Sequence, residues 1–269
     1  MIHRNALHAL ATVGMATLLA ACAASSMGTL DPAPRGLGDA SASKHLGDRN
    51  PLALHGATPN AACHTVTTTY GATITAAVVG GGDHLALDFS TTPCDVGVYF
   101  GPSYPGRKLD HTTINGPYTF GVYVDNTNGV HVDNTAMTHG NSSGDGLVEL
   151  DSTGLTIDHT TIDGSYFGID SVSIHKPTDI TIDHTAVSGY GSGNGMTFAD
   201  TVSVSHSTAT GNDPNAYGFV FENANAAQVD HNTASGNQYD FYFCPHGTGI
   251  NTQSALRSNH NTFTTFFSC

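Results

Sequence analysis

Apolar and polar positions alternate with period two in short runs through most of this chain, and Gly, Asn and Asp separate the runs. Val122 and Val124 flank Tyr123, and Ile180 and Ile182 flank Thr181. Period two sends successive side chains to opposite faces of a strand, and the separating residues are those that turn a chain. The runs also recur. Leu109-Asp110-His111-Thr112-Thr113-Ile114 returns as Val132-Asp133-Asn134-Thr135-Ala136-Met137, Ile157-Asp158-His159-Thr160-Thr161-Ile162 and Ile182-Asp183-His184-Thr185-Ala186-Val187. It continues more loosely through Val204-Ser205-His206-Ser207, Val229-Asp230-His231-Asn232 and Ser258-Asn259-His260-Asn261. Counted from His111, the intervals are 23, 25, 25, 22, 25 and 29 residues.

Between these segments lies a second one, in which glycine precedes a short apolar strand: Gly121-Val122-Tyr123-Val124, Gly146-Leu147-Val148, Gly168-Ile169-Asp170, Gly195-Met196-Thr197-Phe198 and Gly218-Phe219-Val220-Phe221. Each repeat therefore holds two or three strands. Hairpins would reverse the chain, whereas the same strand order returns in every repeat. Coils stacked strand on strand in parallel explain this with one geometry. The pattern predicts an all-β fold, a single-stranded right-handed parallel β-helix of seven to eight coils over residues 62–269. The hand follows from the strong bias of parallel crossovers.

Composition supports a β fold and narrows the partners. Thirty-five threonines favour strands and 31 glycines interrupt helices, so a helical bundle is disfavoured. Charged residues make up only 11%, and acids outnumber Lys and Arg by 22 to 8, a net charge of −14. Phosphate backbones and anionic membranes attract basic surfaces, so no nucleic-acid partner is expected.

Residues 1–21 carry Arg4 and the apolar run Ala9 to Ala21, too short to span a bilayer, and read as a secretory signal. Its end, Leu19-Ala20-Ala21-Cys22, resembles the lipobox of bacterial lipoproteins, which implies acylation of Cys22 and membrane contact through the lipid. Ala23 after that cysteine resembles the signal for outer-membrane sorting in a Gram-negative host. Residues 22–61 are rich in Ala, Ser, Gly and Pro and read as a flexible tether.

Four cysteines remain, Cys63, Cys94, Cys244 and Cys269, an even number in a chain addressed to an oxidising compartment. Three connectivities are open, and the placement of two near each end of the domain favours Cys63 with Cys94 and Cys244 with Cys269. No Cys-x-x-Cys pair exists, which disfavours thiol redox catalysis and a cysteine zinc site.

Residues 62–269 resemble the extracellular right-handed parallel β-helix repeat proteins of the pectate-lyase-like superfamily. The resemblance lies in the entry from Cys63 to Cys94 followed by Leu109 to Gly116 and Phe120-Gly121-Val122, and in the exit Asp240-Phe241-Tyr242-Phe243-Cys244, Asn261-Thr262-Phe263 and Cys269. It implies disulfide-closed first and last coils. The superfamily includes lyases, hydrolases, epimerases, adhesins and binding proteins, so the resemblance implies a fold and not a reaction.

Three sets of residues are candidates for function. The histidine position should stack along the rod, with His159, His184 and His206 the candidates for a transition-metal ion. The same position suits a turn with positive φ, which His, Asn and Asp tolerate, and that reading is preferred, with no metal or other cofactor expected. Under it, Thr160, Thr185, Ser207, Asn232 and Asn261 form an internal polar ladder. Aromatic residues recur near one corner, and Tyr118, Tyr166, Tyr190, Tyr217 and Tyr239 are candidates for stacking on sugar rings. Asp145, Glu149, Asp151 and Asp170 lie in adjacent coils, and Asp145, Glu149 and Asp170 would be the catalytic acids if the protein is an enzyme. Tyr166-Phe167-Gly168-Ile169-Asp170 faintly resembles the Tyr-Gly-Phe-Asp segment of alginate epimerases, but Val172 stands where those enzymes carry His. Lyase chemistry wants a nearby cation, yet Arg107, Lys108, Lys176 and Arg257 are scattered. The expectation is a monomeric, lipid-anchored β-helix that binds a carbohydrate polymer or acts as a scaffold. A polysaccharide lyase, hydrolase or epimerase is the alternative, and a metal-handling protein the second.

Overall fold

The computed structural model describes residues 63–90, 94–138, 144–244 and 247–269. The expected signal, lipid-bearing Cys22 and tether lie outside the described residues.

The described chain winds into a parallel β-helix of about eight coils, each normally contributing one strand to each of three sheets. A ten-stranded sheet runs from the strand His64–Thr67 through Thr73–Val79, Val96–Phe100, Phe120–Asp125, Asp145–Leu150, Phe167–Val172, Asn194–Phe198, Tyr217–Phe221 and Tyr239–Phe243 to Phe266–Ser268. An eight-stranded sheet stacks the segments from Gly82–Asp83 to Thr248–Gly249, and a seven-stranded sheet those from Ala86–Asp88 to Thr233–Ser235. The pairing is parallel except at the entry, where His64–Thr67 and Thr73–Val79 form an antiparallel hairpin.

Residues equivalent in the repeat stack in register, which turns the sequence period into columns. Val132, Ile157, Ile182, Val204 and Val229 form one fully buried column, and Ile114, Met137, Ile162 and Val187 another. Each aliphatic side chain so removed from water contributes about 1.5–3 kcal/mol before entropy is counted. The third face of the core is lined by Val122, Leu147, Ile169, Met196, Phe219 and Phe241.

Each sheet junction has its own backbone chemistry. Between the eight- and seven-stranded sheets the corner residue has positive φ and is His84, His111, Asn134, His159, His184, His206, His231 or His260, with φ from 44 to 60°. Where the ten-stranded sheet ends, Asn126, Asp151, Asp200 and Asn223 adopt the same conformation, with φ between 47 and 59°. At the third junction Gly116, Gly164, Gly189 and Gly236 do so. The residue after each histidine or Asn134 turns inward as expected: Thr112, Thr135, Thr160, Thr185, Ser207, Asn232 and Asn261 are all buried. Their side chains are satisfied within the coil and between coils. Thr160 Oγ1 donates to the Asp158 carbonyl at 3.0 Å, and Asn232 Oδ1 accepts from Ser207 N at 2.9 Å.

Both ends are closed. Cys63 pairs with Cys94 and Cys244 with Cys269, as their placement favoured. A short helix, Gln253–Ser258, capped by Thr252, buries Leu256 under the last coil. No sequence pattern anticipated this helix, because six residues carry less than two turns of helical period. The buried Asp240 ties down the final segment, accepting from Thr264 N at 2.8 Å and Thr265 N at 3.1 Å.

Gly168, in the strand Phe167–Val172, illustrates how tightly successive coils are packed. A Cβ there would lie 2.1 Å from Val187 Cγ1 and 2.4 Å from the Gly195 carbonyl oxygen. Gly168→Ala should therefore destabilise the protein by about 1–3 kcal/mol, read as a lowered urea midpoint. An unchanged midpoint would mean that the coils separate more easily than their packing implies.

Candidate functional site

Two surfaces of the rod concentrate chemistry-bearing side chains. The first is the outer face of the ten-stranded sheet. Pleating sets the column Tyr99, Tyr123, Val148, Asp170, Thr197, Val220, Tyr242 and Phe267 opposite the core-facing residues. Beside it run Val96, Phe120, Asp145 and Phe167, and further on Asn194, Tyr217 and Tyr239.

The first coils of this face are covered. The entry hairpin lays Val66, Tyr70 and Ile74 against Tyr99, Tyr123 and Val148 in a second apolar cluster outside the main core. Polar contacts fasten it: Thr69 N donates to Asp125 Oδ2 at 2.7 Å, and the Tyr70 hydroxyl donates to Asp151. Asp151 also accepts from the backbone of Ile174 at 2.6 Å and His175 at 3.0 Å. Its donors hold its carboxyl below the usual carboxylate range despite burial, which makes it a structural anchor.

Beyond the hairpin the face carries half-buried rings. Tyr217, Tyr239, Tyr242 and Phe267 form one group: Tyr217 to Tyr242 is 5.2 Å between centroids, Tyr239 to Phe267 is 5.1 Å, and Tyr242 stacks on Phe267 at 5.2 Å and 11°. Tyr166 meets Phe167 edge to face at 4.8 Å. The five tyrosines expected to form one row are thus divided. Tyr166, Tyr217 and Tyr239 keep part of their rings exposed, whereas Tyr118 and Tyr190 are fully buried. Tyr118 packs on Phe89, and the Tyr190 hydroxyl reaches Asn237. These two are corrections to the expectation. They stand at other offsets from the following strand, and the corner directs them into the core. Tyr242 and Phe267 were missed, although alternation in Phe241-Tyr242-Phe243 already puts Tyr242 on the opposite face from its neighbours.

The acids separate in the same way. Asp145 and Asp170 lie on the outer face, in neighbouring strands. Burial raises the Asp145 carboxyl well above the usual carboxylate range, and the charge of Asp170 adds to the rise. Burial pushes Asp170 up to about 7, with Glu222 adding to the effect. Asp170 can therefore act as a proton donor near neutral pH. Glu149 instead points into the coil, 0% exposed, in the inward column with Val124 and Ser171. It accepts from Ser171 Oγ at 2.7 Å, and burial pushes its carboxyl up to about 8. An acid sealed inside the coil does not meet a polymer outside it, so the expected catalytic trio reduces to Asp145 and Asp170.

The second surface is the histidine corner. The rings stack nearly parallel: His84 on His111, His159 on His184 and His184 on His206 are each 4.8 Å apart between centroids, at 5, 3 and 6°. His206 to His231 is 5.0 Å and His231 to His260 is 4.8 Å. His84 was not part of the expected row. The signal was the Asp83-His84 pair, but Leu85 replaces the usual Thr after it. A column of aspartates runs alongside and meets the rings at Nδ1. The contacts are Asp83 to His84 at 2.7 Å, Asp110 to His111 and Asp158 to His159 at 2.8 Å, and Asp183 to His206 at 3.0 Å. At Asn134, where the ring is missing, Lys108 bridges Asp110 at 2.9 Å and Asp133 at 3.1 Å.

Comparison with family models, with curated proteins and with solved structures returned no match.

Glu149 yields a pH test. Its folded-state value of about 8 lies above its ordinary 4.5, so its favourable contribution is complete below about 4.5 and is lost as pH rises through 8. Glu149→Gln should remove this dependence and stabilise the protein relative to the parent at pH 8 by on the order of a few kcal/mol. Thermal melting from acid to alkaline pH checks it, and parallel pH profiles for parent and variant would contradict an interior neutral Glu149.

Proposed function

We propose that this is an exported, lipid-anchored β-helix protein that binds a carbohydrate polymer along the outer face of its ten-stranded sheet. The observation that carries this reading is the group Tyr217, Tyr239, Tyr242 and Phe267, followed along the same face by Asn194, Asp170 and Asp145. Aromatic rings offer flat apolar platforms to the CH faces of sugars, and protonated carboxyls beside them donate to hydroxyl or carboxylate oxygens. A linear face suits a linear ligand, because each coil advances about 4.8 Å and presents the next contact. The fold and its closed ends accord with the resemblance to pectate-lyase-like β-helix proteins, and the two disulfides accord with an oxidising compartment.

A catalytic reading rests on Asp145 and Asp170 alone. Asp170, raised by burial and by Glu222, and Asp145, raised by burial and by the charge of Asp170, would supply the proton donor and the base that glycoside hydrolysis needs.

Screening the protein on a glycan array, with mass spectrometry of any products, separates the two readings. Binding without new products is the expected result, and product formation abolished by Asp170→Asn would establish the hydrolytic one. Tyr217→Ala and Tyr239→Ala should each weaken polymer binding by about tenfold, in line with the loss of one ring's contact energy, while leaving the circular dichroism spectrum unchanged. Polymer binding undisturbed by both changes would remove this face from consideration. For the anchor, Cys22→Ser should release the protein from membranes, and an unmodified Cys22 in the membrane-extracted native protein would contradict it.

A further inference from the structure

The histidine column has no part in the reading above, and backbone conformation alone does not account for it. Positive φ at a corner is met in this same chain by Asn126, Asp151, Asp200 and Asn223, and in the column itself by Asn134. Imidazole is nonetheless present at the other positions of that column. Its chemistry is also prepared. Hydrogen bonds join His206 Nδ1 to Asp183 Oδ1 at 3.0 Å and His231 Nδ1 to Asp230 Oδ2 at 3.3 Å, which holds the proton at Nδ1 and leaves the lone pair on Nε2. An aspartate behind Nδ1 is the arrangement that orients metal-binding imidazoles and raises their basicity.

From this arrangement we propose that the column is an array of sites for a borderline divalent transition-metal ion such as Zn²⁺ or Cu²⁺. Each ion is held between the Nε2 atoms of two stacked histidines, with the aspartates as orienting partners. Asp158, His159 and His184 form one such group and Asp183, His184 and His206 the next, with Asp83, His84 and His111 a third. Rings 4.8 Å apart stand wider than the roughly 3.4 Å between donors of a tetrahedral ion with bonds of about 2.0–2.1 Å. Each ring must therefore lean toward its neighbour by under about 1 Å, which half-exposed side chains can do by small rotations of χ1 and χ2. Asn134 divides the array into the pair His84 and His111 and the run from His159 to His260. At two rings per ion, the array holds about three ions.

The test is calorimetric titration of the whole, untagged protein with ZnCl₂ and CuCl₂ at pH 7.5. The expected result is uptake of about three ions per chain, one for each pair of rings. The informative variant combines His84→Asn, His184→Asn and His231→Asn. It leaves no two neighbouring imidazoles in the column but keeps thirteen of the sixteen histidines of the chain. Asn134 shows that the corner accepts Asn, and unchanged melting would confirm it. Affinity should fall roughly 100-fold through loss of chelation, whereas scattered single imidazoles would lose only in proportion to their number. Electron paramagnetic resonance of the Cu²⁺-loaded parent gives a second readout, with two imidazole nitrogens per ion expected. No uptake by the parent, equal uptake by the variant, or single-nitrogen coordination would each overturn the proposal.

Discussion

A β-helix exists only if every coil closes at the same perimeter as the coil beneath it, so the fold depends on its corners more than on its strands. A strand of three residues is too short to hold itself, and the seven-stranded sheet is built wholly from such strands. They persist because a left-handed residue stands two positions before each one and the residue between, polar in all but the first coil, turns inward. Stacking then converts one local solution into a column. The buried Thr, Ser and Asn ladder is the interior counterpart of the left-handed corner, since it bonds the carbonyls and amides that the bend takes out of the sheets.

The same geometry controls which residues face solvent. Once the corners are fixed, alternation assigns the strand residues after each strand's first glycine to core or surface, and the surface columns become lines of equivalent side chains. Aromatic residues line up on one face and imidazoles on one edge without any long-range design, because register alone aligns them. The interruptions then become informative. Where the column of rings lacks a member at Asn134, the Lys108 ammonium stands between two aspartates. Where the outer face of the large sheet would be bare, the entry hairpin covers it.

How much of this was legible in the sequence depended on whether a feature repeats. The coil, the columns and the corner histidines announce themselves because Asp-His-Thr recurs with almost constant spacing. The inward ladder follows from the same register. The side-chain directions at corners did not follow, because loop length changes from coil to coil: Tyr118 and Tyr190 enter the core, while Tyr166 stays at the surface. Glu149 shows the same limit inside a strand. It occupies an alternation slot held by Val124 in one neighbouring coil and Ser171 in the other, and nothing local to the residue distinguishes an acid turned inward beside Ser171 from one turned outward. The closing helix occurs once, so no repetition could reveal it.

The entry hairpin has a geometric consequence as well. It occupies the large sheet at the first coils, and the aromatic group Tyr217, Tyr239, Tyr242 and Phe267 sits at the last ones. The strand of Val148, the last that the hairpin reaches, and the strand of Tyr217, the first of the aromatic group, are three steps apart, roughly 14 Å along the axis at about 4.8 Å per coil. The body thus acts as a spacer with a polarity: the end where the described chain enters is blunt and strapped, and the contact surface is held out at the far tip. Adding or deleting a coil would change that reach by one fixed step while leaving every contact residue in its column.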